Sequence, residues 1–242
     1  MKIIGIIPAR YASSRFPGKP LVKIKGIPMI QRVYQQAKLT STLSEVIVAT
    51  DDQRIYNTVR DFGGKVVMTN STHQSGTDRI AEVAKQLPDA NIIINIQGDE
   101  PIIDPRQIDQ LAIFIKEHEQ FSIATMAHLI SREEELDNPN VVKVVFDQFQ
   151  KALYFSRSPI PYRRNNIDEK PTPIYKHVGM YAFQRDTLLD ITQLPVSQLE
   201  KTESLEQLRW LENGYSIGVC QTQIESIAVD HPEDLEKINQ LI

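Results

Sequence analysis

A basic loop near the start of the chain has side chains suited to phosphate. In "IIPARYASSRFPGKPL" (6–21), Arg10, Arg15 and Lys19 stand four or five positions apart, and Gly18 allows a close backbone approach. Their charge matches a polyphosphate. A solvated basic turn, held in shape by its prolines, explains the loop about equally well. The sequence contains neither GxxxxGK[ST] nor GxGxxG, which disfavours a nicotinamide or flavin site and indicates that any phosphate contacts come from side chains.

Two acidic positions follow apolar stretches. "INIQGDEP" (94–101) places Asp99 and Glu100 just past a predicted strand, and "IAVDHPEDL" (227–235) places Asp230 after another apolar run. Carboxylates in such places can hold a hard cation, and Mg²⁺ bound to phosphates needs only one or two of them. Each position also has a simpler explanation, since Gly-Asp before Pro is common in turns and Asp230 could be a helix N-cap. With the basic loop, the pair suggests a metal–nucleotide site.

A third polar loop, "THQSGTDR" (72–79), precedes a predicted helix. Gln74, Ser75 and Gly76 can present hydrogen-bond donors and a flexible backbone, and Ser75 or Thr77 can cap the helix. The helix N-terminus then favours an anionic group. The five histidines show no HxH or HExxH spacing, which disfavours a zinc site.

Strands and helices alternate through the first half of the chain. Apolar runs rich in isoleucine and valine predict buried strands at 2–8, 45–50, 65–69 and 91–97. Helical periodicity lies between and after them, at 29–39, 52–64 and 76–87. This order predicts an α/β fold with a doubly wound, mostly parallel sheet, in which ligands bind beyond the carboxyl ends of the strands.

The second half is less regular. It predicts strands in hairpin-like order at 121–130, 141–147, 151–161 and 177–184, an exposed loop at 163–173, and helices at 204–214 and 231–241. We expect one domain over residues 1–242, in which residues from about 121 to 185 form a smaller mixed or antiparallel lobe.

Composition narrows the class of protein. The chain has 242 residues, a net charge of −4 and one cysteine. The charge disfavours a general nucleic-acid binder, and a single cysteine excludes an internal disulfide. We therefore expect a cytoplasmic protein. No apolar run approaches the length of a membrane span, so we expect no membrane insertion.

Eight stretches together carry a resemblance to a known family. They are "IIPARYASSRFPGKPL", "THQSGTDR", "NIQGDEP", "NPNVVKVV", "ALYFSRSPIPY", "KHVGMYAF", "SLEQLRWLENG" and "VDHPEDLE". The set resembles the 3-deoxy-manno-octulosonate (Kdo) cytidylyltransferases, also called CMP-Kdo synthetases, over essentially the whole chain. The opening loop followed by "HQSGTDR" and "QGDEP" is specific as a set, although each piece alone is weak.

The resemblance implies a fold, a reaction and a set of site residues. The fold is the Rossmann-like nucleotide-diphospho-sugar transferase fold. The reaction is CTP + Kdo → CMP-Kdo + pyrophosphate with Mg²⁺, carried out by a homodimer whose contact comes from the second-half lobe. By position, the resemblance implies that the residues binding CTP are Pro8, Ala9, Arg10, Arg15, Lys19, Gln74, Ser75 and Gly76. It implies that Asp99 and Asp230 bind the metal ion, and that these two form the catalytic set with Arg15 and Lys19. The Kdo pocket falls to Arg79, Gln97, Arg157, His177, Tyr181, Glu206 and Gln207.

Two other functions stay open on the sequence. The nearer is a cytidylyltransferase for another sugar acid, such as 8-amino-Kdo or a sialic acid. The more distant is a non-catalytic nucleotide-binding module on the same fold, because fold alone does not fix function. The presence of Lys19, Asp99 and Asp230 argues against the second. For the Kdo enzyme, the product would serve lipopolysaccharide or capsule synthesis.

Overall fold

The predicted sheet is present as nine strands, and a small hairpin of two more lies apart from it. The computed structural model describes residues 1–12, 16–164 and 172–242. Its strands are β1 (Ile3–Ala9), β2 (Lys23–Ile24), β3 (Ile27–Pro28), β4 (Glu45–Thr50), β5 (Val66–Met68), β6 (Ile92–Asn95), β7 (Ile123–Leu129), β8 (Lys143–Phe146), β9 (Ala152–Ser156), β10 (Tyr175–Gln184) and β11 (Ile217–Thr222).

The main sheet is mixed, and four of the six pairings along its seven-strand path are parallel. Its order is β11-β7-β10-β6-β1-β4-β5, and β8 and β9 branch from the start of β10. Strand β1 runs parallel to both β4 and β6, so the carboxyl ends of these three strands meet at one edge. Strand β10 runs antiparallel to β6 and β7. The prediction of a doubly wound, mostly parallel α/β fold is confirmed.

Helices cover both faces of this sheet. They are α1 (Met29–Ala37), α2 (Gln53–Asp61), α3 (Gly76–Lys85), α4 (Pro105–Glu117), α5 (Glu133–Asp137), α6 (Arg185–Ile191), α7 (Gln198–Glu203), α8 (Gln207–Glu212) and α9 (Asp234–Leu241). One apolar core packs α1, α2 and α4 against the sheet, and a second core packs α3, α6 and α8 against the other face. Strand β1 contributes side chains to both cores, because alternate side chains of a strand point to opposite faces of the sheet.

Local capping explains where several helices begin. The Asp52 carboxylate accepts from the N–H groups of Arg54 and Ile55 at the start of α2. Of the two predicted caps of α3, Ser75 is the one present, and it forms a reciprocal capping box with Asp78. Asp104 caps α4, which begins with a proline at its first position.

The second half differs from its prediction in several elements. The predicted helix at 204–214 is the shorter α8, and Ser204, with a φ of 52°, separates it from α7. The closing helix begins at Asp234 rather than at residue 231. Strands β7 and β10 belong to the main sheet, and β8 and β9 extend it as a hairpin. The sub-lobe and its dimer contact stay predictions.

Some predicted features lie outside the described residues. These are Arg15 of the basic loop and residues 165–171 of the predicted loop at 163–173. Of the helices within the described ranges, none has the length and apolar character needed to cross a bilayer.

Candidate active site

A cleft of about 290 Å³ opens beyond the carboxyl ends of β1 and β6. This is the edge at which open α/β sheets bind ligands. The basic loop after β1, the turn before α3 and the loop after β6 all contribute to its wall. Its lining residues are Pro8, Ala9, Arg10, Lys19, Pro20, His73, Gln74, Ser75, Gly76, Arg79, Gln97, Gly98 and Asp99. All the described residues that the family resemblance assigned to CTP are therefore found in one place.

The floor of the cleft depends on a close backbone approach. A Cβ atom at Gly98 would lie 2.9 Å from the carbonyl oxygen of Pro8. Any side chain at this position would push the loop after β6 away from the end of β1. Glycine at 98 thus brings Asp99 up against the basic loop.

Lys19 joins three segments that are far apart in the sequence. Its Nζ lies 2.8 Å from Asp99 Oδ2 and 2.7 Å from the carbonyl oxygen of Val229. The Val229 N–H also donates to the carbonyl oxygen of Asp99, at 2.9 Å. Asp230 follows Val229 directly. The fold therefore brings the segment that carries Asp230 next to Asp99, although Asp230 is not among the residues that line the cleft.

The structure argues against the simpler explanation of Asp230. Helix α9 begins at Asp234 and its N-cap is Glu233. The Asp234 carboxylate accepts from the N–H groups of Asp230 and His231, at 3.0 and 2.9 Å. The interpretation of Asp230 as a helix N-cap is therefore wrong. Asp234 instead orders the turn that carries Asp230.

The acidic side chains fit a magnesium ion shared with phosphates. Mg²⁺ usually takes one or two carboxylates and fills its other positions with water and phosphate oxygens. Asp99 presents a partly exposed carboxylate at the cleft, and Asp230 lies next to the segment bonded to it. Within the described residues, the cleft included, no three His, Cys, Asp or Glu side chains are grouped so that they could hold a metal ion by themselves. The metal assignment stays a prediction.

The start of α3 faces the same cleft. Ser75 and Gly76 line it, and Ser75 Oγ accepts from the Asp78 N–H at 3.0 Å. The first N–H groups of a helix and the positive end of its dipole attract anions. This wall and Lys19 together provide two sources of positive potential for a polyphosphate.

The buried arginine of α3 lies on the β4–β5 side of the site. Arg79 is only 3% exposed. Its Nη2 lies 2.9 Å from Asp51 Oδ2 and its Nη1 lies 2.5 Å from Thr69 Oγ1. Arg79 lines the cleft beside the CTP-assigned residues, whereas the other arginine assigned to Kdo, Arg157, directly follows β9 and does not line the cleft.

A second polar group lies near β10, on the other side of β6. Gln97 links it to the cleft, because Gln97 Nε2 donates to the carbonyl oxygen of Gly179 at 2.5 Å. His177 Nε2 lies 2.9 Å from Thr125 Oγ1, whose single hydrogen can go to the carbonyl oxygen of Met180 at 2.9 Å. His177 is then the donor in its own contact with Thr125. Burial lowers the pKa of His177 to about 3, so the ring is neutral near pH 7.

The centre of this second group is buried and polar. Burial raises the pKa of Tyr181 well above its ordinary value, with the Glu206 carboxylate adding to the effect. Burial also raises the pKa of Glu206, whose Oε2 accepts from Thr77 Oγ1 at 2.6 Å. Within the described residues, three buried polar atoms have no hydrogen-bond partner: Asn95 Oδ1, Tyr181 OH and Gln207 Nε2. Such atoms need a partner, and a polar ligand would provide one.

Comparison with known proteins decides the family. The cytidylyltransferase family model matches residues 4–227. A protein of Solibacter usitatus (strain Ellin6076) named 3-deoxy-manno-octulosonate cytidylyltransferase is 50% identical over 240 residues, covering 99% of this chain and 94% of the relative. The chain belongs to this cytidylyltransferase family.

Two further comparisons extend this result. A solved CMP-2-keto-3-deoxy-manno-octonic acid synthetase complexed with CTP superposes with a TM-score of 0.93 at 47% identity, covering 100% of this chain and 98% of that one. A protein of Shewanella sp. (strain ANA-3) named 8-amino-3,8-dideoxy-manno-octulosonate cytidylyltransferase is 49% identical, covering 99% of this chain and 98% of the relative. The resemblance predicted from the motifs is confirmed.

Arg157 of this cytidylyltransferase is engaged by the protein backbone. Its Nε, Nη1 and Nη2 donate to the carbonyl oxygens of Glu203, Pro139 and Ser204, at 2.7, 2.9 and 3.2 Å. Its own carbonyl oxygen accepts from Lys143 Nζ at 2.7 Å. Arg157 does not line the cleft described above. In this structure it holds the end of β9 to the segment between α7 and α8.

Sequence reasoning missed two residues of the site. His73 lines the cleft and its Nε2 makes a short contact with the Glu82 carboxylate, but it is not among the predicted site residues because the histidines show no metal-ligand spacing. Asn95 was read only as part of an apolar strand. It pairs with Tyr181 across β6 and β10, a relation that the sequence does not reveal.

Proposed function

We propose that this cytidylyltransferase transfers CMP from CTP to Kdo and releases pyrophosphate. The proposal rests on one observation above all. The cleft brings together Lys19, the N-terminus of α3 and the Asp99 carboxylate at the carboxyl edge of the sheet. That arrangement suits a polyphosphate with a divalent cation, and the relatives named for this reaction align over nearly the whole chain.

In the proposed reaction the anomeric hydroxyl of Kdo attacks the α-phosphorus of CTP. The new P–O bond forms, the bond to the β-phosphate oxygen breaks with its electron pair leaving on pyrophosphate, and the hydroxyl proton passes to solvent. Such transfers are catalysed mainly by positioning and charge neutralisation. Lys19 and Arg15 would neutralise the charge on the triphosphate and on the leaving pyrophosphate.

Asp99 and Asp230 would hold Mg²⁺ in this cleft. The ion would supply positive charge against the phosphate oxygens. The hydrogen bond from the Val229 N–H to the Asp99 carbonyl oxygen supports the assignment, because Asp230 follows Val229 directly. The two aspartates need not complete a coordination shell, since phosphate oxygens and water fill the remaining positions.

The sugar acid would bind among the buried polar side chains around β10. Its hydroxyls could satisfy the buried Tyr181 OH and Gln207 Nε2, which have no partner among the described residues. Gln97 adjoins both this group and the CTP cleft and would lie between the two substrates. For Arg157 to reach the Kdo carboxylate, it would have to give up at least one of its three backbone acceptors.

The oligomeric state, the cellular location and the use of the product are also proposals. We expect a cytoplasmic homodimer whose product serves lipopolysaccharide or capsule synthesis. The hairpin of β8 and β9 supports the dimer, because Phe149 at its tip is 70% exposed and Leu153 on β9 is 59% exposed. Exposed apolar side chains in one area are typical of a protein interface.

The 8-amino analogue of Kdo is the second candidate acceptor. The Shewanella relative named for that substrate is as similar to this chain as several relatives named for Kdo. The two sugars differ at one position, where an amine replaces a hydroxyl. Discrimination between them would therefore depend on one or two contacts in the pocket.

Pyrophosphate release tests the proposal directly. The enzyme is mixed with CTP and Mg²⁺, and release is measured with Kdo, 8-amino-Kdo, N-acetylneuraminate or no acceptor. We expect release with Kdo at a kcat/KM at least tenfold above that with the other acceptors. Faster release with 8-amino-Kdo or the sialic acid would keep the chemistry and overturn the acceptor. Binding of CTP without release for any acceptor would favour a non-catalytic module.

A further inference from the structure

An arginine of α2 covers an aromatic ring of the basic loop. The Arg54 guanidinium carbon lies 3.3 Å from the centroid of the Tyr11 ring. A guanidinium this close to a ring face is attracted by the negative potential of the π system. The two residues are 43 positions apart in sequence, so the contact ties the loop after β1 to the start of α2.

The guanidinium is itself held in place. Arg54 Nε lies 3.0 Å from Asp52 Oδ1, and Arg54 Nη2 lies 2.7 Å from Asp52 Oδ2. Asp52 Oδ1 also accepts from the Arg54 N–H at 2.9 Å as the N-cap of α2. A two-point carboxylate contact fixes the plane of the guanidinium. Tyr11 therefore packs on a rigid surface and not on a freely moving side chain.

Tyr11 also closes the described part of the basic loop. Its carbonyl oxygen accepts from the Gly18 N–H at 2.9 Å. Gly18 has a φ of +74°, and a Cβ there would lie 3.0 Å from the Tyr11 ring. Backbone and ring together fix residue 18 against residue 11. Arg10 precedes this junction and Lys19 follows it, so the positions of both cations depend on it.

We propose that Arg54 and Tyr11 form a positioning contact that holds Arg10 and Lys19 in place for the triphosphate. Neither residue lines the cleft, so both act through the residues that do. The proposal rests on the proposed function only in the identity of the nucleotide. Its physical content is that the stacked pair keeps the two cations in the geometry that binds a polyphosphate.

The chain contains a matched control for Arg54. Arg106 stands two residues after Asp104, the N-cap of α4, and contacts it through Nε at 3.0 Å and Nη2 at 2.5 Å. Both arginine side chains are exposed, 58% for Arg54 and 77% for Arg106. No ring contact to Arg106 is found within the described ranges. Arg106→Ala therefore removes the same local ion pair without disturbing the loop.

The test measures CTP affinity by calorimetry together with the KM values for CTP and for the acceptor. Arg54→Ala is expected to weaken CTP binding about two- to fivefold, the range that an exposed cation–π contact gives. The KM for the acceptor should be unchanged. Arg54→Lys, which keeps a cation over the ring, should restore part of the loss, whereas Arg106→Ala should bind CTP like the wild type.

A double-mutant cycle separates positioning from general destabilisation. In a Tyr11→Leu background, Arg54→Ala is expected to cause no further loss of CTP affinity, because its partner ring is gone. Equal effects of Arg54→Ala and Arg106→Ala, or additive losses in the double variant, would overturn the proposal. Calorimetry needs no turnover, so these outcomes remain readable if the enzyme uses a different acceptor.

Discussion

Glu100 gives a quantitative test of the electrostatics beside the cleft. It follows Asp99 directly and is only 6% exposed. Burial raises its pKa from 4.5 to about 8, the charge of Asp99 adds to the rise, and a hydrogen bond from Ser226 opposes it. Below about pH 8 the folded protein therefore carries Glu100 as a neutral acid.

The direction of the pH effect follows from proton binding in the two states. Between pH 4.5 and about pH 8 the folded chain keeps a proton that the unfolded chain has released. The free energy of unfolding therefore falls as pH rises through this window, by about 1.4 kcal/mol per unit. From pH 6 to pH 8 the loss amounts to about 2.3 kcal/mol, because the slope decreases as the pH approaches the folded pKa of about 8. Glu100→Gln keeps the shape and removes this loss.

Urea unfolding at pH 6, 7, 8 and 9 measures the difference. We expect Glu100→Gln to gain stability relative to the wild type by about 2–3 kcal/mol between pH 6 and pH 8, with unchanged m values. Glu117→Gln on the exposed side of α4 is the control and should follow the wild type at every pH. Parallel curves for Glu100→Gln and the wild type would show that Glu100 is ionised in the folded protein and would refute the reasoning.

Three further substitutions test the site. Lys19→Ala should lower kcat/KM by at least about tenfold through loss of a charged phosphate contact. An unchanged kcat/KM would favour the interpretation of the loop as a solvated basic turn. Asp99→Asn should abolish pyrophosphate release while circular dichroism shows an intact fold, and near-normal turnover would remove Asp99 from the metal site. Arg157→Ala should weaken Kdo far more than CTP and also lower the free energy of unfolding by at least about 1 kcal/mol, because three backbone acceptors lose their donor. Equal KM changes for the two substrates would mean that its role is structural.

The sequence predicts the first half of the fold well for a physical reason. Strands buried on both faces are continuously apolar, and the helices between them keep a clear period, as β4 and α3 illustrate. The Ser75 cap was visible because capping is a local interaction. In the second half the strands are less regular. Strand β10 carries a register shift between Val178 and Tyr181, and its insertion between β6 and β7 depends on contacts that no local pattern records.

The same distinction between local and long-range interactions applies to the candidate site. Residues of one loop, such as Arg10 and Lys19, were found from their types and spacing. The meeting of Lys19, Asp99 and Val229 was beyond the sequence, because it depends on two loops and the C-terminal segment reaching one edge of the sheet. Asn95 was missed for a related reason, since a polar residue at the end of an apolar strand reveals its unsatisfied oxygen only when its neighbours are known.

The charges in the cleft follow a consistent pattern. Asp99 and Glu100 are adjacent in the loop after β6, and burial raises the pKa of Glu100 to about 8. Lys19 Nζ lies 2.8 Å from Asp99 Oδ2, so these two side chains form an ion pair at the cleft. In the proposed reaction a triphosphate would compete with Asp99 for Lys19, and a Lys19 that turned to phosphate would leave the Asp99 carboxylate available to the proposed cation. If Glu100 were ionised as well, a second negative charge beside Asp99 would oppose the triphosphate. Burial that keeps Glu100 protonated would avoid that second charge, even though Glu100 does not line the cleft.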